Sequence, residues 1–426
     1  MNNYKKLLLA AVFVAATHSI YSQSLTTYSP YSRYGIGEMR NRGYATTKSM
    51  GAISQGIRNG ASVNFLNPAS YTAQDTMSFI FDFGIEGAGV DYRSGNQSNY
   101  NSTGNIHHVA IQFPITKWMG ASAGLQPFSN VGYRIRHIET DPYLLSTIGP
   151  IKYYYNGNGG ITQSYVGLAV QPFKNFSVGA NVSYLFGAME YSSEIIFPEY
   201  APYNSTKKLN SVVVRDIVYS AGAQYALVFG TNKNIRLVLG ATVDNETAIG
   251  AQNITFISYP LGNVIDTIQY TENPRASIDY PQNLSVGFTL AFKNRVMVGF
   301  DYSTQDWTNA QFLNMSDNLT NSETIRAGVQ VTPNPFDLKH YYNRISYRAG
   351  FYHSNTYLQL RDNQIKDYGI TFGVGLPYRR TNTSFNISFE VGRKGTQQNN
   401  LVQETYGVVN VGFTFYDIWF VKRKFN

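Results

Sequence analysis

Phe176-Ser177-Val178-Gly179-Ala180-Asn181-Val182-Ser183-Tyr184-Leu185-Phe186 is the stretch on which the fold turns. Phe176, Val178, Ala180, Val182, Tyr184 and Phe186 alternate with Ser177, Gly179, Asn181, Ser183 and Leu185. Successive side chains of a strand point to opposite faces, so a period of two means strand. One face suits lipid and the other a wet lumen. The rhythm returns in Val286, Phe288, Leu290 and Phe292 against Ser285, Gly287, Thr289 and Ala291, and in Phe385, Ile387, Phe389 and Val391 against Ser384, Asn386, Ser388 and Glu390. A soluble sandwich also alternates, but interleaved Gly, Ala, Ser, Thr and Asn suit a crowded, hydrated barrel interior.

Outward from that stretch, the first residues indicate the compartment. Residues 1–22 read as a secretory signal peptide: Lys5 and Lys6, an apolar core from Leu7 to Ala16, then small or polar residues up to a cleavage before Gln23. No later stretch approaches the roughly 20 apolar residues that a membrane helix needs. Crossing a membrane then falls to strands, and only a closed barrel pairs every backbone donor and acceptor inside hydrocarbon. Aromatic residues make up 15% of the chain, charged residues 14%, and mean hydropathy is −0.25, as expected where half of each strand meets water. The absence of Cys excludes a disulfide scaffold, a thiol nucleophile and cysteine metal sites. The net charge of +8 is not gathered into a basic patch interleaved with stacking aromatics, so no nucleic-acid partner is expected.

The predicted fold is all-β: a transmembrane antiparallel β-barrel of about 14 strands with an N-terminal hatch or plug segment in its lumen. The strands are read at 77–92, 104–114, 118–137, 161–171, 176–195, 209–229 and 235–258, then at 280–292, 295–312, 322–332, 344–357, 366–377, 383–392 and 406–416. Connections at 116–117, 173–175, 231–234 and 293–294 are tight, whereas 93–103, 139–160, 197–208 and 259–279 are long. Short turns face the periplasm and long loops the outside, which places both termini in the periplasm of a Gram-negative outer membrane. Residues 333–343 break the parity as a long connection on the short-turn side. Trp118 and Trp419 near the inner rim and Trp307 near the outer fit aromatic girdles. The chain thus divides into a signal peptide (1–22), a hatch (23–76), the barrel (77–416) and a basic aromatic tail (417–426).

Residues 23–76 do not alternate. Gly51-Ala52, followed by Asn67-Pro68-Ala69, resembles the N-terminal hatch motif of FadL-type transporters of long-chain fatty acids and hydrocarbons. Tyr280-Pro281-Gln282-Asn283-Leu284-Ser285-Val286-Gly287, running on through Val298-Gly299-Phe300-Asp301-Tyr302-Ser303 to Asp306-Trp307, resembles a hairpin of the same family. Arg326-Ala327-Gly328 and Arg348-Ala349-Gly350 look like its following strands. The resemblance implies a fourteen-stranded barrel that passes hydrophobic small molecules from outer loops into the lumen and out through the wall. It makes Gly51, Asn67, Pro68 and Ala69 candidates for hatch and gating, with Pro68 stiffening the segment and Asn67 bonding its own backbone. Gly84, Gly87 and Gly89 in the first strand are candidates for a lateral opening. Tyr143, Leu144, Leu145, Tyr153, Tyr154 and Phe197 are candidates for an apolar collecting surface.

Asp417-Ile418-Trp419-Phe420-Val421-Lys422-Arg423-Lys424-Phe425-Asn426 departs from a barrel that ends on a terminal aromatic. Such a tail suits a periplasmic or outer-membrane protein partner. It carries the alternative that the chain is a non-transporting accessory barrel in outer-membrane protein assembly or secretion. The expected partners are therefore outer-membrane lipid, a hydrophobic ligand and such a protein. No catalytic residue, metal site or cofactor is assigned. His107, His108, His137, His340 and His353 lack metal-ligand spacing, and the adjacent His107 and His108 are expected on opposite faces of a strand. No nucleophile elbow occurs. Gly157-Asn158-Gly159-Gly160 reads as a hairpin tip, because no helix follows to hold an anion.

Overall fold

The computed structural model describes residues 27–39, 43–230, 234–261, 264–313, 315–316, 319–378 and 381–419. The signal peptide at 1–22, and residues 420–426 of the tail, lie outside them.

Among the described residues, eighteen strands form one antiparallel sheet. They are β1 (Ser78–Ser94), β2 (Gln97–Thr116), β3 (Met119–Ile138), β4 (Lys152–Phe173), β5 (Phe176–Ile196), β6 (Thr206–Phe229), β7 (Ile235–Asp244), β8 (Thr247–Leu261) and β9 (Val264–Tyr280). The second half comprises β10 (Asn283–Phe292), β11 (Val296–Gln305), β12 (Gln311–Phe312), β13 (Met315–Ser316), β14 (Ser322–Val331), β15 (Ser346–Leu360), β16 (Asn363–Pro377), β17 (Ser384–Gly395) and β18 (Gln403–Ile418). β1 pairs with β18 from Ser78↔Ile418 to Arg93↔Gln403 and closes the wall. Without β8, β9, β12 and β13, the closed barrel has 14 strands. Closure pairs the wall strands around the barrel, the condition under which strands span a membrane, with a seam between β2 and β3 where pairing stops at Val109↔Leu125.

Side chains sort as the period of two requires. On β5, Ser177, Asn181, Ser183 and Leu185 are buried inward, while Val182, Tyr184 and Phe186 are exposed on the outer wall. On β10, Leu284, Val286, Phe288, Leu290 and Phe292 are exposed, while Ser285, Thr289 and Ala291 are buried. The wall is apolar outside and largely polar inside, the pattern of a transmembrane barrel.

Three readings change. The stretch 235–258 is two strands, because the chain leaves the wall at Asn245, whose side-chain oxygen accepts from Tyr219 N–H at 2.7 Å. β7 takes the lower part of β6, from Ser220↔Asp244 to Phe229↔Ile235. β8 takes the upper part, from Lys207↔Ser258 to Val214↔Ala251. The expected loop at 259–279 is largely β9, returning on β8. The expected loop at 93–103 is a hairpin turning at Gly95, whose φ of 56° lies in the left-handed region. These two long connections are thus strand extensions beyond the membrane, since a crossing needs only about 9–11 residues, whereas residues 139–151 and 197–205 remain outside the sheet. The four consecutive polar residues Asp244-Asn245-Glu246-Thr247 interrupt the alternation and are the signal in the sequence for the departure at Asn245.

Candidate functional site in the barrel lumen

Residues 27–39 and 43–76 are seated against inward-facing groups around the wall. Asn67 caps the short 3-10 turn Pro68–Ala73 by accepting from Ala69 N–H at 3.2 Å, with Pro68 at a position whose missing N–H costs nothing. The Asn67 amide also donates to Gln55 O at 2.9 Å. Asp301 on β11 accepts from Ser54 N–H at 2.5 Å and Gln55 N–H at 3.0 Å. Gln224 on β6 donates to Gln55 O at 2.8 Å, Thr289 on β10 to Gly56 O at 2.6 Å, and Tyr71 to Asn181 on β5 at 2.9 Å. Gly51 N–H donates to Thr371 Oγ1 on β16 at 2.8 Å. Buried ion pairs join Lys48 to Glu86 at 2.5 Å and Lys394 to Glu38 at 3.2 Å.

Wall glycines make room for this backbone. A Cβ at Gly240 would strike the Gln55 carbonyl, and one at Gly350 would strike the backbone of Met50 and Gly51. Gly51 itself sits at φ 67° with β-strand carbonyls beside it. Gly51, Asn67, Pro68 and Ala69 are therefore all at the contact between segment and wall.

The lateral candidates lie elsewhere than a gap. β1 pairs along its length with β18, so Gly84, Gly87 and Gly89 interrupt nothing on that side. Toward β2 a register shift occurs at Gly84/Ile85. It is a bulge that turns both His107 and His108 inward, against the expectation of opposite faces. Gly84 leaves space for the His108 ring, which stacks on Tyr44 with centroids 3.6 Å apart and bonds Asp82 at 2.7 Å. The interruption falls one strand on. β2 and β3 pair only from Thr116↔Met119 to Val109↔Leu125 and then part. Beyond that point β3 is bonded by the N-terminal segment: Glu38 and Asn130 exchange backbone bonds at 2.8 and 3.1 Å, and Ser29 N–H donates to Gly132 O at 2.7 Å. Pro127, followed by a bulge at Phe128, was the signal in the sequence, since proline within a strand marks an edge.

The loop candidates do not converge on the lumen. Tyr143, Leu144 and Leu145 ride a helical turn, Pro142–Thr147, capped by Asp141, with Tyr143 exposed. Tyr153 bonds Glu139 and faces His137, Tyr154 lies beneath Arg136, and Phe197 packs on Tyr203. At the long-loop end the lumen is capped from within. Trp307, 2% exposed, stacks on Tyr357 at 4.5 Å and meets Tyr280 edge-on at 5.9 Å. Its place is this inner cluster and not the outer girdle, whereas Trp118 and Trp419 are exposed at the opposite rim.

Between cap and segment remains a cavity of about 210 Å³, bordered by groups such as Asn181, Ser285, Arg326 and Tyr280. At the tight-turn end a cleft of about 610 Å³ opens beneath the segment. Among the described residues no His, Asp or Glu cluster is arranged to hold a metal ion. The arrangement can bind and seal; many of its polar groups are engaged with each other, while among the described residues Gln55 Oε1 and Asp301 Oδ1 are buried without a hydrogen-bond partner.

The BamG family model matches residues 4–426. Among curated protein sequences, none matches the chain. Solved structures with the same fold include the toluene transporter TodX of Pseudomonas putida, with TM-score 0.58, 15% identity, and coverage of 91% of this chain and 100% of that one. The Ralstonia pickettii toluene transporter TbuX gives 0.58 and 13%, covering 88% and 98%. A Pseudomonas aeruginosa FadL homologue gives 0.59 and 13%, covering 88% and 98%. The resemblance to FadL-type proteins read from the motifs thus holds at the level of fold, and these structural neighbours are transport proteins rather than enzymes.

Proposed function

The chain belongs to the BamG family, and from that premise we propose that it is a sealed outer-membrane barrel serving as a structural subunit of an envelope complex, of the kind that assembles or secretes outer-membrane proteins. The observation that carries this reading is the filled lumen. Residues 27–39 and 43–76 act as a plug, bonded through Gly51, Ser54, Gln55 and Gly56 to β6, β10, β11 and β16 by buried polar groups. The cavity above them, about 210 Å³, is bordered by polar groups and by Phe65, Leu66, Phe128 and Leu358 alike, and is smaller than the roughly 300–1,000 Å³ of small-molecule sites. In this reading Gly51, Asn67, Pro68 and Ala69 hold the plug in place, and the tight turns and both termini face the periplasm.

A second reading, passive uptake of long-chain fatty acids or hydrocarbons, is favoured by the parted β2 and β3 strands and by the fold shared with hydrocarbon channels. There the N-terminal segment is a hatch that must leave β3 before a ligand passes the wall.

Purification in gentle detergent, with mass spectrometry of associated proteins and lipids, tests the two. A stoichiometric set of envelope proteins around a barrel without ligand supports the subunit. Fatty acid or hydrocarbon bound to a solitary barrel replaces it with the conduit.

A further inference from the structure

We infer that the cleft at the periplasmic mouth is a docking site for a periplasmic protein, entered by a polypeptide segment that carries carboxylates beside apolar side chains. This rests on the subunit reading and on its orientation. Residues 333–343 form a long connection on the tight-turn side, and they are held in a defined shape. Asp337 accepts from Lys339 N–H at 2.8 Å, from His340 N–H at 2.9 Å and from the Asn343 amide at 2.6 Å. Asn334 N–H donates to Asn343 O at 2.7 Å. Tyr341 anchors the connection to Pro377 O at 3.1 Å.

A loop ordered in this way displays Phe336 at 81% and Leu338 at 73% exposure. Both line the 610 Å³ cleft together with Asn59 and Ala61 of the plug, so they sit under the lumen and not on the lipid-facing wall. Ordering a loop costs conformational entropy, and burial within this chain does not offset that cost for these two side chains. Burial against a partner would.

Charge selects the partner. The turns of this end expose Lys117, Lys174, Lys293, Arg295 and Lys339, while its acidic residues among those described are Asp75, Asp337 and Asp417, of which Asp337 is engaged in its own loop. Complementary potentials steer association and reject like-charged segments. The chain's own tail, with Lys422, Arg423 and Lys424, has the wrong sign.

The test places photo-reactive benzoylphenylalanine at position 336, and separately at 338, in the full-length protein, irradiates cells and maps adducts by mass spectrometry. The expected adduct is to a periplasmic protein at an acidic, apolar segment. Its yield falls about ten-fold in Lys293→Glu with Lys339→Glu, as loss of steering predicts, and is unchanged in Lys207→Glu with Lys208→Glu at the opposite end. Heat-modifiable mobility verifies that each variant is a folded barrel. Adducts to lipid or to residues 420–426, charge-insensitive adducts, or none, overturn the docking site. An envelope complex that persists without such adducts overturns the cleft alone, while a solitary barrel loaded with hydrocarbon overturns the subunit reading beneath it.

Discussion

Asp301 concentrates the chemistry of the lumen at one residue. Its carboxylate is 2% exposed and receives two backbone N–H groups of the N-terminal segment. Asp301→Ala strands both donors, at about 1–3 kcal/mol each. Limited proteolysis should then cut within residues 27–76 while the barrel stays heat-modifiable; unchanged resistance would show that these bonds do not hold the plug. Lys394→Met removes the cation 3.2 Å from the buried Glu38 carboxylate, a loss of up to about 3–5 kcal/mol, and should loosen the same segment. Pro68→Gly relaxes the 3-10 turn, so permeability or assembly should change while circular dichroism reports intact strand content. No effect in either assay would mark the motif as filler. Asp301 stood in the sequence within an Asp-Tyr motif, but its partners are 246 and 247 residues away in the chain, and nothing local names them.

At the scale of elements, two features separate from the regular wall. The connection 333–343 is ordered by Asp337, which His340 N–H, the Asn343 amide and Lys339 N–H hold down to about 2. A depressed carboxylate contributes stability above its unfolded value near 4, and that contribution is lost as pH falls through about 2. Hydrogen exchange at Lys339 and His340 in detergent should be slow at neutral pH and accelerate across that acid window. Asp337→Asn should remove the acid step, and a step that persists would refute this assignment. The second feature is the β2–β3 seam, bridged by Ser29 and Glu38. Deleting residues 27–38 should expose the edge of β3 and make its amides exchange faster between Asn130 and Gly132, with β4 pairing unaffected. Strand content was readable from alternation. The seam was not, because Gly84, Gly87 and Gly89 look as permissive of a gap as Pro127 does.

For the whole molecule, the filled lumen predicts electrical silence. In planar bilayers the intact protein should show no stable conductance, whereas removal of residues 27–76 should open steps of pore size; an intact protein that conducts would return the balance to transport. The same closure makes the barrel a rigid post between two unlike ends. One end is a sheet extended by β8 and β9 beyond the membrane, and the other a rim of basic turns around an open cleft. A subunit that joins partners needs such ends more than it needs a passage.

Alternation at period two, the small and polar residues between, and the even strand count determined the closed barrel from sequence alone, since each strand's two faces are set by local geometry. Which glycines meet the N-terminal segment, where β2 leaves β3 and why Trp307 turns inward were decided only in the tertiary structure. Those contacts join residues hundreds of positions apart, and a strand pattern specifies which way a side chain points without specifying what it will meet.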